Sequence, residues 1–248
     1  MIKKLDKFFF ESGLYQSKYI YIYSDFRTFF SFYKVKSNFH VKKILELFTK
    51  KGITCVVPAF SYTTEGRFNV KKTKSGVGFL SNFILKNLNH ERSEHPLFSF
   101  IAIGKNKRIV RNIGLSAFGK NSLHERLYKK NTFFLNFFRP IEQGNTLVHH
   151  IEQINKAEYR FDKRFNTRVY KNNKFIKTGY RAYLRKFVDN KDHFFTFKKL
   201  LKKIKNKRLF HEIKLYNSGV KVYNYDKFYD ELNYLYSQDK EIFIKKNA

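Results

Sequence analysis

The segment Asn145 to Glu152 (NTLVHHIE) sets a histidine and a carboxylate three residues apart, with an asparagine ahead of both. If Asn145 caps a helix, His149 falls in its first turn and Glu152 shares its face, close enough to hold the imidazole in one tautomer. The positive helix end lowers the pKa of such an imidazole while the carboxylate raises it, so the pair can present a proton acceptor near neutral pH. That is the design of a general base. The same spacing also describes an ordinary surface histidine on a capped helix, and the residues alone leave both readings standing. His150 points elsewhere on that helix and has no evident role.

Two further stretches could meet a ligand through their backbone. Thr73 to Gly78 (TKSGVG) gathers two glycines and two hydroxyls just before a predicted helix, so its amides could approach a phosphate or an amide group. Phe118 to Arg126 (FGKNSLHER) puts Gly119, Asn121 and Ser122 ahead of a short helical pattern, with Ser122 at the cap position. Both also read as ordinary turns. Cys55, the single cysteine, lies in an apolar run without a neighbouring base and belongs to the core. One cysteine forms no intramolecular disulfide or four-cysteine zinc site, fits a reducing compartment, and leaves no metal expected.

The elements that must position these residues read as α/β. Lys18 to Tyr23 (KYIYIY) is an aromatic and β-branched strand that stops at Ser24 and Asp25. Val41 to Lys50 carries Val41, Ile44, Leu45 and Phe48 at helical spacing, and Lys51 and Gly52 close it. Ile53 to Phe60 (ITCVVPAF) is apolar enough to be buried on both faces. Ser75 to Leu88 reads as loop then helix, and Leu97 to Ile103 and Asn131 to Phe138 as strands. After Gly144, Leu147, Val148, Ile151 and Ile154 form one helical stripe. Val169 to Val188 is β-like around a turn at Asn172 and Asn173, and Phe197 to Leu209 is a basic amphipathic helix. The chain is expected to be one domain, 1–248, with 161–248 a packed basic subdomain.

Taken in order, these stretches resemble the antibiotic N-acetyltransferase family, the aminoglycoside 3-N-acetyltransferases and their relatives. The blocks are Val57 to Tyr62 (VPAFSY), Thr73 to Gly78, Arg92 to Ser99 (RSEHPLFS), Gly104, Phe118 to Arg126 and Asn145 to Glu152. The last is similar to the family's Thr-x-x-His-x-x-Glu motif at Thr146, His149 and Glu152, and Tyr159 and Arg160 match a Tyr-Arg pair that often follows. The resemblance covers about Tyr19 to Arg160, with a fainter echo near Gly219 to Leu232.

It implies a three-layer mixed sheet flanked by helices and acetyl transfer from acetyl-CoA to an amine of a sugar-like acceptor, without a covalent enzyme intermediate. His149 is then the base and Glu152 its partner. Ser24, Ser75, Gly78, Ser122 and Thr146 face the co-substrate, with donors near Thr146 and Ser122 on the thioester oxyanion, and Tyr62 and His95 face the acceptor. The chain departs from the family where Tyr23 to Arg27 replaces a His-Ser-Ser-Leu turn and keeps only Ser24. Gly119 to Ser122 (GKNS) replaces Gly-Pro-Gly-Ser, and Phe133 to Glu142 replaces a glycine-rich strand.

Charge narrows the partners. The 248 residues carry 51 Lys and Arg against 20 Asp and Glu, a formal net charge of +31, with 30 Phe and 17 Tyr. Such a balance suits nucleic acid, an anionic membrane or an anionic substrate, and can also reflect a biased genome composition. Aromatics among basic residues, as in Tyr180 to Phe187, could stack bases, but no RRM, KH or zinc-finger signature is present. The 197–209 helix could rest on anionic lipid or be a core-packed helix with a solvated face. No apolar run reaches the roughly 20 residues that span a bilayer, and the expected address is cytoplasmic. Aminoglycosides are polycations whose sites need carboxylates, so an anionic or phosphate-bearing amino sugar of surface-polysaccharide assembly is the expected acceptor. Acetylation of an alcohol by the same base stays open.

Overall fold

The central strand explains the layering. In β1 (Tyr19–Ser24) the alternation of tyrosine and isoleucine sends Tyr19, Tyr21 and Tyr23 into one apolar cluster and Ile20 and Ile22 into the other. The computed structural model describes residues 1–35, 38–139, 145–186, 194–195, 198–206, 209–215 and 218–245. Parallel partners flank β1: β2 (Thr54–Pro58), buried throughout, and β6 (Thr132–Phe137). Antiparallel strands extend the sheet, with β4 (Glu91–Arg92) and β5 (Phe100–Ile103) beyond β2. The hairpin of β12 (Phe210–Leu215) and β13 (Ser218–Asn224) lies beyond β6, giving the order β12-β13-β6-β1-β2-β5-β4.

Helices cover both faces. The isoleucine side packs against α1 (Ile2–Glu11), α2 (Phe26–Tyr33), α3 (Asn38–Thr49) and α4 (Phe79–Asn87). The tyrosine side packs against α5 (Leu123–Leu127), α6 (Thr146–Ile154), α7 (Lys198–Asn206) and α8 (Tyr225–Gln238). This is the expected three-layer mixed sheet. Smaller sheets form from β3 (Arg67–Asn69), β8 (Arg168–Lys171) and β9 (Lys174–Lys177), and from β7 (Arg160–Phe165) with β10 (Tyr180–Arg185). A further pair joins β11 (Phe194–Phe195) to β14 (Ile244–Lys245). Asn172 and Asn173 form the two-residue turn between β8 and β9, at φ of 51° and 62°.

Some expectations shift by residues for identifiable reasons. The strand expected from Leu97 starts at Phe100, because the amides of Leu97 and Phe98 turn in to bond the His95 ring. It ends at Gly104, whose φ is 104° and where a Cβ would lie 2.6 Å from the Ile53 carbonyl oxygen. Asp25, a strand stop in the sequence, also starts α2 by accepting from the amides of Arg27 and Thr28. The basic helix α7 buries Leu200 and Ile204 in the core, so its apolar side is occupied by protein and is not presented to lipid. Residues 140–144, Phe197, Val188 and Lys207 to Arg208 lie outside the described residues.

Candidate active site

Asn145 caps α6, its Oδ1 accepting the Leu147 amide at 2.9 Å. One turn later the imidazole of His149 places Nδ1 2.9 Å from Oε2 of Glu152. Arg160 Nη2 also stands 2.9 Å from Nδ1 but lies closer to Oε2, at 2.6 Å; with the guanidinium donating to the carboxylate, the tautomer that satisfies Glu152 carries its proton on Nδ1 and its basic lone pair on Nε2. Glu152 is fully buried, and three groups share its charge: His149, Arg160 Nη2 at 2.6 Å and the Tyr159 hydroxyl at 2.9 Å on Oε1. Arg160 is itself fixed by a bond from Nη1 to the Tyr183 carbonyl.

Two opposed influences set the protonation of this pair. Burial alone would raise Glu152, but the bond from His149 and the charge of Arg160 hold its carboxyl below the usual range. Burial lowers the pKa of His149, Arg160 and Arg185 lower it further, and the Glu152 bond recovers only part. The result is a neutral imidazole at neutral pH, with a side chain 24% exposed and the edge of Phe118 against its ring. It is therefore a base that can be reached.

His149 borders a cavity of about 190 Å³, whose wall includes Tyr23, Ser24, Tyr62, Gly78, Ser81, Arg139, Asn145 and Thr146. Of the residues singled out from sequence, Ser24, Tyr62, Gly78, Thr146 and His149 share this wall. Gly78 caps the start of α4 at φ 73°, a conformation that favours glycine, and lines the cavity. Tyr62 stands on the rim, half exposed, at φ 51°, a strained value for a bulky residue and one that clusters at functional sites.

Three singled-out residues sit elsewhere. Ser75 is behind the wall, where its hydroxyl accepts from the Val77 amide and meets Ser81, so it shapes the loop that Val77 and Gly78 present. Ser122 is buried as the cap of α5, its hydroxyl 3.1 Å from His150 Nδ1. His95 is fully buried: Nδ1 accepts the Leu97 and Phe98 amides and Nε2 donates to the Arg181 carbonyl. Burial pushes its pKa down to about 4, so it is a neutral packing residue and not part of the cavity wall.

Thr146 has a role its motif position does not announce. Its Oγ1 meets the hydroxyls of Tyr21 at 2.7 Å and Tyr23 at 3.0 Å and Nε2 of His124 at 2.9 Å. The hydroxyl thus ties the first residue of α6 to β1 and α5, and so fixes where His149 points. Spacing gives no sign of Tyr21, Tyr23, His124 or Arg139; the alternation of tyrosines in β1 is the one usable signal for the first two. Among the described residues no group of three or more His, Cys, Asp or Glu side chains is placed to hold a metal ion.

Comparison with known proteins agrees with this fold. No curated protein sequence matches the chain. Among solved structures, aminoglycoside acetyltransferase AAC(3)-IIb is 13% identical, with 96% of this chain and 97% of that one covered at a TM-score of 0.75. AAC-IIIb, solved with CoASH, is 14% identical over 95% and 96% at 0.75, and YokD from Bacillus subtilis is 15% identical over 94% and 99% at 0.70. The family model described as aminoglycoside 3-N-acetyltransferase matches residues 41–236. With its motif histidine set on α6 beside a buried carboxylate, the chain belongs to the aminoglycoside 3-N-acetyltransferase family and is an acetyl-CoA-dependent N-acetyltransferase.

Proposed function

We propose that this enzyme acetylates the amino group of a negatively charged amino sugar, one used in surface-glycan assembly, by direct transfer with His149 as general base. The charge of the cavity wall carries this reading. Among its described residues stand the Arg139 guanidinium and the His149 imidazole, and no carboxylate. A polycation meets no counter-charge there, whereas a phosphate or carboxylate does. The overall charge of +31 acts in the same sense.

The acceptor arrives largely as an ammonium ion, which has no lone pair to attack a thioester. Nε2 of His149 takes the proton, and Glu152 holds the imidazole in place and stabilises the imidazolium that forms. Arg160 and Tyr159 keep Glu152 ionised and aimed. Ser24, Gly78 and Thr146 line a slot that suits the slim acetylated end of the co-substrate, and Ser75 supports it from behind. Tyr62, on the rim, offers a ring face to a sugar.

A second reading takes an aminoglycoside as acceptor. It rests on the neighbours, since AAC(3)-IVa was solved with a gentamicin and with apramycin, and AAC-VIa with sisomicin. Purified enzyme supplied with acetyl-CoA and either kanamycin-like amines or nucleotide-linked amino sugars separates the two. Faster turnover of the anionic sugars is expected, and faster turnover of the aminoglycosides would reverse the order of the readings. We further read residues 1–248 as one domain, supported by the β12-β13 hairpin joining the main sheet at β6. No described helix is long and apolar enough to cross a membrane, and a cytoplasmic site of action is part of the same proposal.

A further inference from the structure

The amide of Asn145 is engaged at one end only. The residue is 3% exposed, and its Oδ1 accepts the Leu147 amide at 2.9 Å. That bond identifies the two ends of the side chain, because only the carbonyl oxygen can accept. Nδ2 must therefore be the other end. Among the described residues it is buried without a hydrogen-bond partner, on a side chain that lines the same cavity as His149. A buried donor without an acceptor is a standing cost to the fold, and one that persists beside a reactive base calls for a ligand. The hydroxyls expected from sequence to serve an oxyanion are already committed: Thr146 has three partners, and Ser122 bonds His150 away from the cavity.

We propose that Nδ2 of Asn145 donates to the carbonyl oxygen of the acetyl thioester and holds it as an oxyanion during transfer, an inference that rests on the acetyltransfer reading above. The amine lone pair forms the new C–N bond while the carbonyl π pair moves onto oxygen, where Asn145 meets it. The first proton, taken by His149 from the ammonium ion, passes to solvent at its partly exposed side chain before attack, and His149 then takes a second proton from the nitrogen as the C–N bond forms. Collapse then restores the C=O bond, breaks the C–S bond, and the sulfur departs with the electron pair and receives a proton from the His149 imidazolium. Asn145 thus joins two tasks: its oxygen starts the helix that carries the base, and its nitrogen receives the charge that the base helps to create.

Two variants separate these tasks. Asn145→Asp keeps the size and the capping oxygen and loses the donor, and Asn145→Ser keeps a capping hydroxyl and loses the amide. Both should melt like the parent while kcat falls by about 100-fold, the scale of losing one oxyanion donor. Calorimetric titration with CoA and with its acetonyl thioether, which keeps a carbonyl near the sulfur, reads the contact without turnover. The acetonyl compound should lose about tenfold in affinity relative to CoA in both variants, the size of one buried hydrogen bond. An unchanged affinity ratio, or a kcat within about threefold of the parent, overturns the role of Asn145. If the parent binds neither compound, the acetyl-donor reading itself falls and this inference falls with it.

Discussion

The two sides of α6 carry similar residue types and use them differently. On the core side, His150 spends both ring nitrogens: Nδ1 accepts the Gly119 amide at 3.2 Å and the Ser122 hydroxyl at 3.1 Å, and Nε2 donates to Tyr229 at 3.0 Å. Burial pushes its pKa down to about 4, and it remains a neutral brace. On the cavity side, one residue earlier, His149 spends Nδ1 on Glu152, and its side chain is partly exposed where it borders the cavity. The difference between the structural histidine and the one proposed as the base is one carboxylate and one helical step of about 100°.

The sharpest break of this contrast is removal of the base. His149→Ala should lower kcat by about 100- to 10,000-fold while CoA binding measured by calorimetry stays unchanged. Loss of the carboxylate comes next. Glu152→Gln strands the buried Arg160 and should cost about 3 kcal/mol of stability in a urea titration. Because Glu152 raises the pKa of His149, the acidic limb of kcat/KM should also move to lower pH.

Arg160→Gln should move that limb the opposite way, to higher pH, because the guanidinium lowers the pKa of His149. On the core side the expectation is inverted. His150→Ala leaves the Gly119 amide, Ser122 and Tyr229 without their partner, so stability should drop by about 1–3 kcal/mol while kcat/KM of the folded enzyme stays within about threefold. The last effect is collective and is spread over a range of pH. His95 and His150, both near 4, and His124, pushed well below its ordinary value by burial, stay neutral in the folded state. The unfolded chain takes up those protons as pH falls below about 6.5, so stability should decline from about pH 6.5 toward pH 4, as followed by thermal melts across that range.

What can be seen in the sequence follows the range of the interactions. The Asn145 cap, the His149 and Glu152 pair, the Ser122 cap and the Asn172-Asn173 turn are all decided within a few residues, and local spacing reveals them. The alternation in β1 likewise shows a strand. Arg160 is eight residues beyond Glu152 and past the end of α6, so only the turn of chain between them brings its guanidinium onto the carboxylate. Thr146 meets Tyr21, Tyr23 and His124 across separations of 125, 123 and 22 residues, which no periodicity can show.

His95 teaches the reverse lesson: a motif histidine beside a proline and aromatics looks like a ligand contact until its two nitrogens are found to be spent on backbone. Helices α1 and α2 and the hairpin β12-β13 are hard to read for another reason. Their aromatic and basic residues satisfy helix and strand patterns almost equally, and burial of Leu5, Phe9 and Phe29, or pairing with β6, decides between them.

The central claim is that His149 is the proton acceptor of an acetyl transfer whose acceptor carries negative charge. The most direct measurement compares release of CoA from acetyl-CoA by the parent and by His149→Ala, with glucosamine 6-phosphate and glucosamine as matched amines. The account predicts a higher kcat/KM for the phosphorylated sugar and a loss of at least about 100-fold in the variant with either amine. A variant that turns over within a few fold of the parent, or a parent that prefers the unphosphorylated sugar, would contradict it.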